Sequence, residues 1–340
     1  MSAAEETLAR LAEIPNLTVV ENAPLARYTR FGIGGPADIY AETEDEAAFL
    51  SAVAVARSSG LPSMVIGGGT NLIVADAGFR GIVLRLAACG IQAEGLRVTA
   101  DAGAVLQDLV DFTTARGLKG IETLAGVPGS VGAAVYGNAG AYGHSISERV
   151  AEVRFFDGGR VRVFGNAECE FHYRESAFKR CKAWIIISVA LEMEAADEAE
   201  LRKIAGEILE IRNRKFPVTM KCAGSIFKNL MLAELPAGAA ARVPATVPRE
   251  GKVPAAWFLE QVGAKGMRTG DIHVADYHAN LIYNGGSGTA TELRAMIDEL
   301  KSRVRNEFGM ELEEEVQYVG FASDGGGGMP EPACVPYTSA

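Results

Sequence analysis

The chain is predicted to fold as an α+β protein of more than one domain. Strand-like runs bounded by glycine outnumber amphipathic helices over roughly the first 195 residues. A polar, alanine-rich helix at about 197–214 then leads into a second region with its own helices and a closing strand. The length, 340 residues, suits two or three domains at about 100–200 residues each. Glycine is over-represented: 39 occur, where about 7 % usage gives about 24. Because glycine loses the most backbone entropy on folding, such a surplus belongs where geometry demands it.

The elements follow in order. Residues 1–20 read as a short amphipathic helix leading into a strand. Thr43-Glu-Asp-Glu46 has the form of a capping box, with Ala47, Leu50, Val53 and Ala54 at helical spacing behind it and Gly60 as a stop. Ser63–Ile66, Ile82–Leu86 and Leu96–Ala100 are strand-like. Leu106, Leu109, Val110 and Thr113 mark a second helix ending at Gly117, and strands return at Val150–Phe156, Arg160–Phe164 and Trp184–Met193. In the second region Pro254 opens a helix over 255–261, and the capping box Thr289-Ala-Thr-Glu292 opens a long one ended by Gly309. Glu315–Gly320 reads as the closing strand, and the Gly/Pro-rich segment after 322 as a disordered tail.

Composition excludes several functions. No apolar stretch approaches the ~20 residues of a membrane helix, and the acidic start Met1-Ser-Ala-Ala-Glu-Glu is not a signal peptide. Five scattered cysteines without a C-x-x-C pair speak against a disulfide framework or structural zinc. A net charge of −10 without a basic block speaks against nucleic-acid binding. The four histidines lack metal-ligand spacing, so no metal site is expected. A cytoplasmic protein is the expectation.

Three glycine-rich segments hold twelve of the 39 glycines. Gly32-Ile-Gly34-Gly-Pro-Ala37 matches the dinucleotide pattern formally, but that pattern needs a helix behind it, and here Pro36 and a strand-like run follow. Ile66-Gly-Gly-Gly-Thr-Asn71 follows an apolar strand and can present consecutive amides to an anion. Gly126–Gly143 has six glycines in 18 residues and reads as a loop laid against a bulky ligand. Among polar residues, Arg174 alone is an ordinary surface charge. Ser225 lacks a nucleophile elbow, so it suits a proton donor or an anion contact better than a hydrolase nucleophile. Glu313, Glu314 and Glu315 adjoin an apolar strand that can draw a carboxylate into a buried site.

Taken together, the motifs resemble the UDP-N-acetylenolpyruvoylglucosamine reductase family, flavoenzymes of peptidoglycan precursor synthesis. The carriers are Tyr28-Thr-Arg-Phe-Gly-Ile-Gly-Gly-Pro-Ala37, Gly67-Gly-Gly-Thr-Asn-Leu72, Gly126-Val-Pro-Gly-Ser-Val-Gly132 and Asn138-Ala-Gly-Ala-Tyr-Gly143. Tyr173-Arg-Glu-Ser-Ala-Phe178, Ala223-Gly-Ser-Ile-Phe-Lys-Asn229, His278-Ala-Asn280 and Leu312-Glu-Glu-Glu-Val316 continue the family order.

The resemblance implies an FAD-binding domain of the vanillyl-alcohol-oxidase type at 23–196, after a lead-in at 1–22. A smaller α+β substrate domain follows at 197–321, and a tail at 322–340. FAD, held non-covalently, falls to Gly67, Gly68, Gly69, Thr70, Asn71, Leu72, Gly129, Ser130, Gly132, Asn138 and Ala141. Ser225 corresponds to the proton donor to C3 of the enolpyruvyl group, and Arg174 with Glu315 to the pair on its carboxylate. Lys215 and Asn229 match substrate contacts, Lys215 at a phosphate. NADPH is the implied hydride donor and UDP-N-acetylglucosamine enolpyruvate the acceptor, with the chain acting as a monomer. Two departures stand out: Glu314 and Leu230 replace prolines usual in the family. The run of three glutamates leaves Glu314 as the alternative to Glu315. Val316 and Gly320 keep the family spacing behind Glu315, and the insertion marking one subgroup is absent.

Overall fold

Among the described residues, three sheets of three or more strands are stitched together by shorter strand pairs. The computed structural model describes residues 2–321, so the predicted tail at 322–340 lies outside the described residues. The first sheet uses β1 (Thr18–Pro24), β2 (Pro36–Thr43), β3 (Ser63–Val65) and β5 (Phe79–Leu86) in the order β1-β2-β5-β3. Its β2–β5 and β3–β5 pairs are parallel, while β1 is an antiparallel edge. Parallel pairing needs a crossover, and α2 (Glu46–Ser58) supplies it, burying Phe49, Ala52, Val53 and Ala56.

The second sheet is antiparallel: β6 (Ile91–Glu94), β7 (Arg97–Asp101), β8 (Val150–Phe156), β9 (Val161–Gly165) and β10 (Ile185–Glu192), in the order β9-β8-β10-β7-β6. Against it pack α3 (Leu106–Thr114) and α4 (Val131–Tyr136) around Phe155, Phe178, Leu109 and Val135. After α5 (Glu198–Lys215) come α6 (Ala255–Gln261) and a small antiparallel sheet of β11 (Arg268–Thr269), β12 (Ile272–Ala275) and β13 (His278–Asn284). α7 (Ala290–Phe308) covers it with Leu293, Met296, Ile297, Leu300 and Val304.

β4 (Leu72–Val74) pairs in parallel with β14 (Gln317–Val319), returning the end of the described chain to the first half. Phe31, Ile33 and Ile73 of the first half are buried in the core of the second. Asp76 caps α7 across the boundary, its carboxylate accepting from Ala290 N–H at 2.8 Å and Thr291 N–H at 2.9 Å. The two halves are therefore fixed to each other by strand, cap and core.

Most expected elements lie where the sequence puts them, including the Thr289 capping box and the left-handed Gly309 after α7. Two differ. The cap of α2 is Asp45, whose side chain accepts from Ala48 N–H at 3.0 Å. Thr43 is held in the β2 ladder opposite Leu86, so it is unavailable as a cap. The second is the Gly126–Gly143 segment, which is interrupted by the short helix α4. Gly132 makes that packing possible: a Cβ there would lie 2.8 Å from Ala102 Cβ. The formal dinucleotide motif at Gly32–Ala37 runs into strand β2, so no helix terminus stands behind it.

Candidate active site

Three backbone segments meet at the first glycine run. Gly69 has φ +62°, and a Cβ there would fall 1.7 Å from the Tyr28 carbonyl oxygen; a Cβ on Gly67 would lie 2.6 Å from Ser130 Oγ. The amides of Gly67, Gly68, Gly69, Thr70, Gly129 and Ser130 donate to no protein acceptor among the described residues. Beside them opens a cleft of about 370 Å³ lined by Arg27, Tyr28, Thr29, Arg30, Gly67, Gly68, Thr70 and Arg85. Unused amides and guanidinium groups on one wall suit a diphosphate. The residues therefore fit the diphosphate of FAD as an anion-binding cradle of backbone amides and guanidinium groups.

Other residues predicted to bind the cofactor are committed to the protein itself. Ser130 Oγ caps α4, accepting from Ala133 N–H at 3.3 Å. Asn138, at φ +43°, donates to the His172 carbonyl at 2.8 Å. Asn71 donates to the Glu315 carbonyl at 2.7 Å, tying the glycine run to the C-terminal strand. Leu72 opens β4, and Ala141 lies in a two-residue hairpin strand, Gly140–Ala141.

Arg174 stands on a tight turn in which His172 and Glu175 exchange backbone hydrogen bonds at 3.0 and 3.1 Å. Its φ of +59° is unusual for a residue with a Cβ and is the kind of strain that collects at functional sites. Its Nε meets Glu315 Oε2 at 3.0 Å, and Nη2 donates to the Gly140 carbonyl at 3.1 Å. Glu314 turns the other way, with both carboxylate oxygens on Lys301 Nζ of α7 at 2.9 and 3.0 Å. Alternation along an extended segment separates the neighbours.

The Ser225 segment runs between β13 and the glutamate segment. Ser225 bridges to Leu281, Ile226 N–H donates to the Asn280 carbonyl at 3.1 Å, and Glu315 N–H donates to the Ile226 carbonyl at 2.7 Å. Asn280 completes this ladder with its side chain, accepting from Phe227 N–H and donating to the Phe227 carbonyl, both at 2.9 Å. Gly224, at φ +82°, turns the chain into the segment. Ser225 thus lies one residue from the backbone pairing of Ile226 with Glu315, and Arg174 reaches Glu315 from the other half. The Ser225 hydroxyl takes no protein hydrogen bond among the described residues.

A cationic cluster lies beside Arg174. Burial pushes the Lys215 ammonium below its ordinary value, and nearby Arg212 pushes it further. Arg212 is lowered by burial too, and Arg30 and Arg174 act on it in the same direction while Tyr142 opposes them. Its Nε is buried without a partner among the described residues. Burial and then Lys215 lower His278 to about 4. Asn229 sits at the rim, its amide donating to Tyr173 Oη and its side chain accepting from Ala255 N–H, both at 3.3 Å. Sequence pattern alone does not mark Arg30, Arg212 or His278 as site residues. For Arg212 a weak signal exists, since it lies one helical turn before Lys215 on α5.

The chain is similar to a UDP-N-acetylenolpyruvoylglucosamine reductase from Solibacter usitatus. The two chains are 69 % identical over 311 residues, 92 % of this chain and 100 % of the relative. The chain belongs to the UDP-N-acetylenolpyruvoylglucosamine reductase family. A Heliobacterium modesticaldum reductase of the same family is 36 % identical over 91 % of this chain and 94 % of its own. The family's C-terminal domain model matches residues 216–319, and an FAD binding domain model matches 37–163. The crystal structure of the reductase from Thermus caldophilus aligns with a TM-score of 0.68 at 28 % identity, over 89 % of this chain and 98 % of that one.

Proposed function

We propose that this chain reduces UDP-N-acetylglucosamine enolpyruvate to UDP-N-acetylmuramate, with Arg174, Ser225 and Glu315 carrying the chemistry. The single observation behind the assignment is their convergence from three separated segments at the junction of the halves, in a chain of this reductase family. The first half serves as the FAD-binding domain and the second as the substrate domain. FAD, when bound in the glycine cradle, supplies hydride obtained from NADPH.

The enolpyruvyl double bond gains hydride at C2 and a proton at C3. Negative charge builds on C3 and the carboxylate before the proton arrives. Arg174 answers it with a permanent charge: Nε and Nη2 are engaged by Glu315 and Gly140, which leaves Nη1 to hold the substrate carboxylate. Glu315 aims the guanidinium. Ser225 gives its hydroxyl proton to C3; a hydroxyl is a weak acid, so its contribution depends on placement. The pairing of Ile226 with Glu315 provides that placement. Lys215 and Arg212 hold the substrate diphosphate. Asn229, at the rim, contacts the sugar nucleotide.

The test separates the two half-reactions under anaerobic conditions. NADPH is expected to bleach the flavin, and the enolpyruvyl nucleotide to restore its colour. Ser225→Ala is expected to spare the first step and slow the second by about 10²–10⁴-fold. Wild-type reoxidation by this variant overturns the assignment of the proton donor.

A further inference from the structure

We propose that Glu175 is a positioning residue for this reaction: through Lys179 and Lys228 it holds Arg174 in register with the Ser225 and Glu315 segments. The inference rests on the assignment of those three residues made above. One carboxylate oxygen of Glu175 accepts from Lys179 Nζ at 2.7 Å and from Lys228 Nζ at 3.0 Å. Lys179 Nζ also donates to the Arg174 carbonyl at 2.8 Å. Lys228 pairs with Glu313 as well, and its amide donates to the Glu313 carbonyl at 2.9 Å. A single carboxylate therefore links the Arg174 turn, the strand three residues after Ser225, and the segment two residues before Glu315.

Physical chemistry makes this link more than a surface ion pair. Lys228 is only 8 % exposed, and a buried ammonium is tolerated when carboxylates surround it. Hydrogen bonds to the two lysines hold Glu175 below its ordinary value despite burial, so it is charged at neutral pH. Arg174, Lys179 and Lys228 face Glu175, Glu313 and Glu315 in an alternating array of equal charge. Arg174 sits in a left-handed conformation that its surroundings must maintain. Losing the Glu175 charge leaves two ammonium groups under-compensated at the base of that turn. Catalytic groups displaced by a fraction of an ångström lose much of their effect, and Arg174 and Ser225 sit on opposite sides of the link.

Flavin-loaded Glu175→Gln, Lys228→Met and the double variant provide the test. For Glu175→Gln the flavin spectrum and its reduction by NADPH are expected to stay within two-fold of wild type. Reoxidation by the enolpyruvyl nucleotide is expected to fall ten-fold or more. The double variant is expected to be no slower than the slower single, because both cut the same link. Glu175→Asp is expected to recover part of the loss by restoring the charge. If Glu175→Gln does not fold, Lys179→Met, which cuts the tie to the Arg174 carbonyl directly, is expected to show the same split. Wild-type reoxidation in these variants overturns the proposal, as does an equal fall of both half-reactions with lowered melting temperature. Failure of wild-type enzyme to reoxidise with the nucleotide instead overturns the underlying site assignment.

Discussion

Replacing Asn280 with alanine should damage stability and chemistry together. The Asn280 side chain imitates a peptide group, satisfying both Phe227 N–H and Phe227 C=O at 2.9 Å, and it is 2 % exposed. Alanine strips partners from two buried backbone groups, and each such loss costs about 1–3 kcal/mol, for a total of about 2–6 kcal/mol. At about 2 °C per kcal/mol for a chain of this size, the melting temperature should fall by roughly 4–12 °C. Asn280→Asp separates hydrogen bonding from shape: it keeps an acceptor for Phe227 N–H but sets a carboxylate oxygen against the Phe227 carbonyl. It should be no more stable than the alanine variant at neutral pH. Phe227 follows Ser225 by two residues, so flavin reoxidation by substrate should slow more than flavin reduction by NADPH. Thermal denaturation followed by flavin fluorescence reads the first effect, and stopped-flow absorbance the second. A melting temperature within 2 °C of wild type for Asn280→Ala would refute the reasoning.

Three further outcomes are expected. Gly69→Ala forces a side chain onto a backbone at φ +62° and places its Cβ 1.7 Å from the Tyr28 carbonyl oxygen. The conformational term alone is about 1–2 kcal/mol, so FAD affinity measured by flavin fluorescence should fall at least ten-fold; unchanged affinity would show that the glycine run is not the cradle. Lys215→Ala should raise the KM for the nucleotide substrate roughly 10–100-fold with little change in flavin reduction, from the loss of a charged contact of about 1.5–3 kcal/mol. A KM equal to wild type would remove Lys215 from the substrate site. His278 is lowered from 6.5 to about 4 in the folded protein. Its contribution is therefore complete above pH 6.5 and is lost as pH falls towards 4, because the unfolded chain takes up the proton first. That loss amounts to about 3 kcal/mol. Urea denaturation of His278→Gln should show a flatter stability profile over this pH window, and an identical slope would contradict the assignment.

Local signals made much of this protein legible. The Thr289 capping box and the left-handed Gly309 bound α7 because caps are satisfied within a few residues. Glycine segments marked the close approach of backbones, since the lack of a Cβ is a property of the residue itself. The exceptions have the same logic. Thr43 failed as a cap because β2 holds it in a ladder with β5, a constraint from residues 79–86. α4 is not legible in the sequence because six residues rich in glycine and alanine carry almost no helical periodicity.

By itself the sequence determined the fold class, the glycine segments where backbones approach closely, and Ser225 and Arg174 as candidates. Tertiary structure decided which glutamate meets the arginine. Glu314 and Glu315 are chemically identical neighbours, and their separation depends on the pairing of Glu315 with Ile226 and on Lys301 from α7. The Arg174–Glu315 pair spans 141 residues, and the hold of Glu175 on Lys228 spans 53. No local preference encodes such distances, because they arise only when two halves pack and β14 returns to β4. Short-range backbone chemistry wrote the elements; long-range packing chose the faces.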